Sequence, residues 1–401
     1  MPEFKALSQA LQGQLVQWRR WFHQHPGIGF DVQETADYIL KKLADWGIEA
    51  EAGVGGTGVV AVIRGGKPGP TIAVRVDIDA LPIQEENTHD FVSLYPGKMH
   101  ACGHDAHAAI GLGVARLLAE QREDLSGAAV IIFQPAEERG GGAAVMIRDG
   151  VLDRYGVQAI VGGHIGLLSP ALSRGQVGIS YGPLMAAACQ FEAEIMGKGG
   201  HGAYPHETID PVVVSAEVIS AWQRLVSREL SPLHPGVLSV GSIHGGDAHN
   251  IIPEKVVMKG TFRYFQPQAG EIFLHRVEEV LAGICKAWKT RYTYKIGTAY
   301  PPLINDQDFT AFFAQVARGL VGEENVKVIE PVMGGEDMAF FLEQVPGTYY
   351  FLGAGNPEKG IVHPHHHPRF DIDEDVLWLG VALLSQTVWE YTRNFKADKT
   401  K

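Results

Sequence analysis

Short apolar runs that alternate with stretches of helical periodicity constrain this chain most. Gly58 to Arg64, Thr71 to Val76, Ala128 to Phe133 and Val157 to Val161 are apolar almost throughout and bounded by turn residues. They are too short for helices and lack the polar alternation of a half-solvated strand. Around them, Leu7, Leu11, Leu15, Trp18 and Phe22 form one stripe of a helix that ends near Pro26-Gly27. A second amphipathic stretch runs from Glu34 to Trp46 and is closed by Gly47, and the segment from Ala106 to Gln121 is also read as helical. The tract Gly65-Gly66-Lys67-Pro68-Gly69-Pro70 reads as a turn between the first two strands. Strands with no solvent face need helices on both sides, so the expected class is α/β.

The pattern changes after Pro183. Strands at Ala186–Met196, Val237–His244, Lys255–Phe265 and Arg291–Gly297 are interleaved with helices at Thr208–Leu230 and Gln268–Trp288. The order β-α-β-β-α-β is the ferredoxin-like split motif. After Tyr300-Pro301-Pro302 the α/β character returns, with a helix at Asp306–Leu320, a strand at Thr348–Leu352 and a last helix at Asp373–Tyr391. The expectation is therefore an α/β domain over residues 1–183 and 301–401, with a mixed, mostly parallel sheet flanked by helices. A ferredoxin-like α+β domain over residues 184–300 interrupts it.

Composition narrows the function. The net charge is −12 and no Lys/Arg run supplies a basic face, which argues against nucleic acid. Three cysteines, Cys102, Cys189 and Cys285, with no short spacing do not make a disulfide framework. No apolar stretch approaches a membrane span and no secretory signal is visible, so a cytoplasmic protein is expected.

Polar groups follow the apolar runs. Asp77 and Asp79 come after Thr71–Val76, Glu137 and Glu138 after Ala128–Phe133, and His164 after Val157–Val161. Ligands of parallel sheets bind at the carboxyl ends of strands, so these groups could converge; polar residues at solvated strand ends are the plainer alternative. His100-Ala101-Cys102-Gly103-His104-Asp105-Ala106-His107 is the densest donor cluster. Cys102 and His104 each offer one metal donor, and Gly103 permits a sharp turn between them. The helix start that follows would favour the Cys102 thiolate. Glu137 and Glu138 suit a division of labour, one binding metal while the other takes a proton from water. The tract His363-Pro364-His365-His366-His367 adds candidate ligands, of which usually one can point into a site. Walker and H-E-x-x-H patterns are missing, which disfavours P-loop nucleotide and thermolysin-like chemistry.

Taken in order, several stretches match one family. They are Arg75-Val-Asp77-Ile-Asp79-Ala-Leu-Pro82, Met99-His-Ala-Cys102-Gly-His104-Asp-Ala-His107, Phe133-Gln-Pro-Ala-Glu137-Glu138 and Gly163-His164. Gly197-Lys-Gly-Gly-His201-Gly-Ala-Tyr-Pro205, His249-Asn250-Ile-Ile-Pro253, Gly334-Gly-Glu-Asp-Met338 and His366-His-Pro-Arg-Phe370 continue the series. Together they resemble the aminoacylase–carboxypeptidase family of dinuclear metallohydrolases, in the branch of hippurate hydrolase, N-acyl-amino-acid deacylases and auxin-conjugate hydrolases. The resemblance implies that Cys102, His104, Glu138, His164 and His366 hold two divalent ions. Zinc is favoured by the thiolate, and manganese or cobalt is implied by relatives. It implies Glu137 as general base, Asp77 as a carboxylate orienting a ligand, and His201 as the oxyanion stabiliser. Asn250 and Arg263 would grip the substrate carboxylate. The implied substrate is an N-acyl amino acid or, alternatively, a short peptide. The inserted domain is then a lid, hinged near Pro183 and Tyr300, and a homodimerisation surface. A non-catalytic metal-binding protein is the remaining alternative.

Overall fold

The apolar runs become the middle of an eight-stranded sheet. The computed structural model describes residues 2–394. In sheet order the strands are Glu49–Val54, Gly58–Arg64, Ser126–Gln134, Lys67–Asp77, Ala159–Gly166, Gly347–Gly353, Val177–Ile179 and Val326–Val328. The four central strands, Ser126–Gln134 through Gly347–Gly353, run parallel. Gly58–Arg64 and Val177–Ile179 flank them antiparallel. This is the mixed, mostly parallel sheet that the alternating pattern predicts. Ile72, Val74, Val76, Ala129, Ile131 and Phe133 face one way, into a core shared with Leu15, Trp18, Leu112 and Leu383. The helix His104–Glu120 is buried on nearly every side, as its even apolarity requires.

Two strand boundaries differ from expectation for reasons that neighbouring strands supply. The strand read as Val157–Val161 is Ala159–Gly166. Gly162-Gly163 looks like a strand end but continues the ladder, and a Cβ on Gly163 would lie 2.5 Å from the Tyr350 ring. The tract Lys67–Pro70 belongs to the strand Lys67–Asp77 rather than to a turn. Its register shifts between Lys67 and Thr71, so the two prolines sit where no ladder N–H is needed.

The chain divides into two compact units, Met1–Leu184 with Ile304–Val332 and Asp337–Lys401, and Met185–Leu303 with Met333–Glu336. The second has its own sheet, in the order Gly236–His244, Lys255–Tyr264, Ala188–Met196, Arg291–Tyr300. Every pairing is antiparallel. With helices Pro211–Arg224 and Pro267–Ala287 this is the ferredoxin-like arrangement. The first of these helices starts at Pro211 because the Asp210 side chain caps it, accepting from the Val212 and Val213 N–H groups. It ends in a π turn at Leu225–Glu229. Phe191, Ile195, Trp222, Met258, Phe262 and Phe273 fill the interior. Among the described residues, no helix is long and apolar enough to cross a membrane.

Phe262 is fully buried and packs against Phe191 and Phe273. Phe262→Ala should destabilise the inserted unit by about 3–5 kcal/mol, the usual cost of emptying such a site. Urea unfolding followed by tryptophan fluorescence checks this.

Candidate metal centre

The end of the central strand carries a buried charge lattice. Arg75, fully buried, donates from NH1 to Asp77 Oδ2 at 2.7 Å, from NH2 to Asp337 Oδ1 at 2.7 Å and from Nε to Gln134 Oε1 at 2.8 Å. The Ile165 N–H donates to His107 Nε2 at 2.9 Å, so the ring proton sits on Nδ1 and is donated to Asp77 Oδ1 at 2.5 Å. Burial works against the Asp77 charge, but His104, His107 and Arg75 prevail and hold its carboxyl well below the usual range.

Two residues on, the Asp79 carboxylate organises the glutamate turn. Its Oδ1 accepts the Glu137 N–H at 3.0 Å and its Oδ2 the Glu138 N–H at 3.2 Å. Both glutamates are thereby fixed from one anchor. The turn is tight: Ala136 has φ +59°, a left-handed conformation that costs a non-glycine residue roughly 1 kcal/mol or more. A Cβ on Gly142 would fall 1.7 Å from the Pro135 carbonyl oxygen, so only glycine fits where the chain returns.

Cys102 and His104 flank Gly103, which has φ +87° and makes the turn the sequence implies. His104 Nδ1 donates to the Asp79 carbonyl at 2.9 Å. Its Nε2 is buried without a hydrogen-bond partner. His164 Nδ1 donates to the Ile165 carbonyl at 3.1 Å, leaving Nε2 3.5 Å from Cys102 Sγ. His164 sits within its strand rather than after it, two residues before the end at Gly166, because the strand runs on past the expected end at Val161. Donor atoms of Cys102, His104 and His164 lie within 4.8 Å of one another, as do those of Cys102, Glu138 and His366 and those of His104, Glu137 and Glu138. Glu138 Oε1 lies 3.3 Å from His366 Nε2 yet forms no hydrogen bond. Two buried orphan atoms, His104 Nε2 and Glu138 Oε1, among sulfur, imidazole and carboxylate donors are what a divalent-cation site demands.

Electrostatics agree with that fit and correct one expectation. The helix start does not favour the Cys102 thiolate: burial, with the Glu138 and Glu137 carboxylates, pushes the thiol well above its ordinary value. Only a cation beside the sulfur would reverse this. Burial opposes charge on His104, but Asp77, Asp79 and Glu138 outweigh it and push its pKa up to about 10. His164 is driven well below the usual histidine value by burial and by the neighbouring His107, His365 and His104.

In the late histidine tract, His366 reaches towards Glu138 from a left-handed conformation, φ +66°. His365 turns the other way and donates from Nε2 to the Ile165 carbonyl at 3.1 Å. His367 stacks on His363. In the inserted unit, His201 and Asn250 lie on one exposed two-stranded ribbon, where Ile251 pairs with His201 and the Gly202 N–H donates to the Asn250 carbonyl. Arg263 is half-buried on the strand Lys255–Tyr264, with NH1 buried and unpartnered.

Residues 73–390 match the peptidase family M20/M25/M40. The chain belongs to that family. It is 40% identical over 369 residues to an N-acetyl-L-cysteine deacetylase of Bacillus subtilis, covering 92% of this chain and 85% of the relative. An IAA-amino acid hydrolase of Arabidopsis thaliana is 37% identical over 403 residues, covering 98% and 90%. Among solved structures, a dinuclear metal-binding peptidase of the M20 family from Bacillus subtilis superimposes with a TM-score of 0.82 at 34% identity, covering 96% of this chain and 99% of that one. The resemblance read from the motifs is borne out, and the chain is a hydrolase of this family.

A second buried network in this M20/M25/M40 member has no counterpart in the sequence reading. Arg19 and His23, one helical turn apart on Phe4–Gln24, both donate to Asp105 Oδ2, at 2.9 and 2.8 Å. His23 Nε2 donates to Glu85 Oε1 at 3.0 Å, and His89 Nε2 lies 3.5 Å from the same oxygen. With both ring nitrogens on carboxylates, His23 is an imidazolium clamp. Its only sequence signal is that the helical stripe puts polar Arg19 and His23 beside apolar Leu15, Trp18 and Phe22.

Burial disfavours the His23 charge, but Asp105 and Glu85 win and push its pKa up to about 9 from an ordinary 6.5. A raised folded-state pKa gives stability that is full below the unfolded value and lost as pH rises through the folded one. The stabilisation should therefore be complete below about pH 6.5 and disappear by about pH 9. His23→Gln should lower the metal-free melting temperature more at pH 6 than at pH 10. A penalty that does not change with pH would show that the clamp is uncharged.

Proposed function

We propose that the chain hydrolyses the N-acyl amide bond of N-acyl-L-amino acids, releasing a carboxylic acid and a free amino acid. The observation that carries this reading is the Asp79-anchored pair. Glu138 shares a donor grouping with Cys102 and His366, while Glu137 stands beside it and His104. A storage site needs no second carboxylate held beside the ligands.

Cys102, His104, Glu138, His164 and His366 would hold two divalent ions, zinc or manganese with cobalt as a substitute. Such ions, when bound, acidify water and polarise the acyl carbonyl. Glu137 takes a proton from the attacking water and returns it to the leaving nitrogen. Asp77, locked by Arg75 and His107, orients the ligand cluster. His201 donates to the developing oxyanion, and Asn250 and Arg263 hold the substrate carboxylate, the latter as a bidentate fork. The inserted unit serves as lid and homodimer surface, for which the edge strand Gly236–His244 is available. Three buried unpaired cysteines suit a reducing cytoplasm. The same site would also serve a peptidase acting on dipeptides or short C-terminal residues, and the solved dinuclear peptidase supports that second reading.

Glu137→Gln should retain both metals by elemental analysis and lose about 10²–10⁴-fold in turnover, the range of a general base. Normal turnover by that variant would overturn the mechanism. A panel of N-acetyl-methionine, hippurate and dipeptides, run with and without chelator, decides between amidase and peptidase. Chelator should abolish all hydrolysis, and the N-acyl substrates should dominate kcat/KM.

A further inference from the structure

The first helix carries a charge that reaches the metal centre from behind. Arg19 is completely buried, and each of its three nitrogens goes to a carboxylate. Nε donates to Asp105 Oδ2 at 2.9 Å, NH2 to Asp371 Oδ1 at 2.6 Å and NH1 to Glu374 Oε1 at 3.2 Å. Asp105 directly follows His104 and opens the helix His104–Glu120. Asp371 directly follows Phe370, at the end of the histidine tract. The same two segments meet again where the His366 N–H donates to the Ala101 carbonyl at 2.7 Å. A guanidinium alone has the planar three-way fork that this arrangement needs; a lysine ammonium cannot reach three separate segments at once.

We infer that Arg19 is a positioning residue that sets the spacing between the Cys102–His104 loop and the His366 tract. It thereby sets the affinity of the ion shared by Cys102, Glu138 and His366. This rests on the two-metal reading above. The charge balance requires it. Without Arg19, Asp105 keeps only His23, and Asp371 and Glu374 face it across a buried space. Like charges would then push apart the two segments whose ligands must converge. Glu374 is less dependent, since Arg20 NH2 also donates to it at 2.7 Å.

The test compares wild type with Arg19→Lys and Asp371→Asn. Metal-free melting temperature in chelator reports folding, and calorimetric titration with zinc and with manganese reports each ion. Arg19→Lys keeps the charge and should melt within a few degrees of wild type, bind one ion normally and bind the second at least tenfold more weakly. Asp371→Asn removes the charge at the tract end of the clamp and so weakens its bond to Arg19, at a partly exposed position that tolerates the change, and it should show the same selective loss. If Arg19→Lys does not fold, Asp371→Asn decides alone. Wild-type affinity for both ions in a folded variant overturns the inference. If wild type itself binds no pair of ions, the two-metal reading fails instead, and the two failures are told apart in one experiment.

Discussion

Buried negative charge at one end of the main sheet is the constraint on which the rest of this structure depends. Asp77, Asp79, Asp105, Glu137 and Asp337 are all buried there. An unpaired charge in such a place costs several kcal/mol, so the fold must bring cations to it. Arg75 serves Asp77 and Asp337, and Arg19 with His23 serves Asp105. The backbone N–H groups of Glu137 and Glu138 serve Asp79 directly, which makes it the anchor of the glutamate turn. What is left over, Glu138 with the Cys102 sulfur, is faced only by the His104 and His366 imidazoles. The protein therefore neutralises its own scaffold and leaves an anionic remainder suited to divalent ions.

How much of this could be read from residues alone follows from the range of the interactions. The strands were legible because Thr71–Val76, apart from Thr71 and Arg75, and Ala128–Phe133 throughout are apolar. The ferredoxin-like unit was legible because its strands and helices come in an unbroken order. The turn between Cys102 and His104 was legible because Cys102, Gly103 and His104 are local. Strand limits at Gly162-Gly163 and Lys67–Pro70 were not, since glycine and proline there answer to neighbouring strands rather than to the local chain. The roles of Asp79, His107, Arg19 and His23 were equally hidden. A carboxylate that caps a turn 58 residues away, or an arginine bonded 352 residues along, leaves no periodic trace.

Local conformation explains why the chain tolerates strain where it does. Ala136 and His366 both adopt left-handed backbone, one in the glutamate turn and one in the histidine tract. Each sits on a segment fixed by hydrogen bonds at both sides, the first by Asp79 and the Gly142 N–H, the second by the Ala101 carbonyl. The neighbours of His366 are consumed elsewhere, His365 against the Ile165 carbonyl and His367 against His363. A run of adjacent histidines thus becomes specific through backbone geometry, because a single left-handed residue aims one imidazole apart from the others.

The order in which the ribosome delivers these parts has a consequence. Arg19 is synthesised well before Asp371, and the bond between them closes a loop of 352 residues. A nascent chain displays Cys102, His104 and Glu138 while the tract that completes them is still untranslated. The donor cluster therefore cannot converge until His366 has been made, and a chain stopped before it holds a thiol and imidazoles without their last partner.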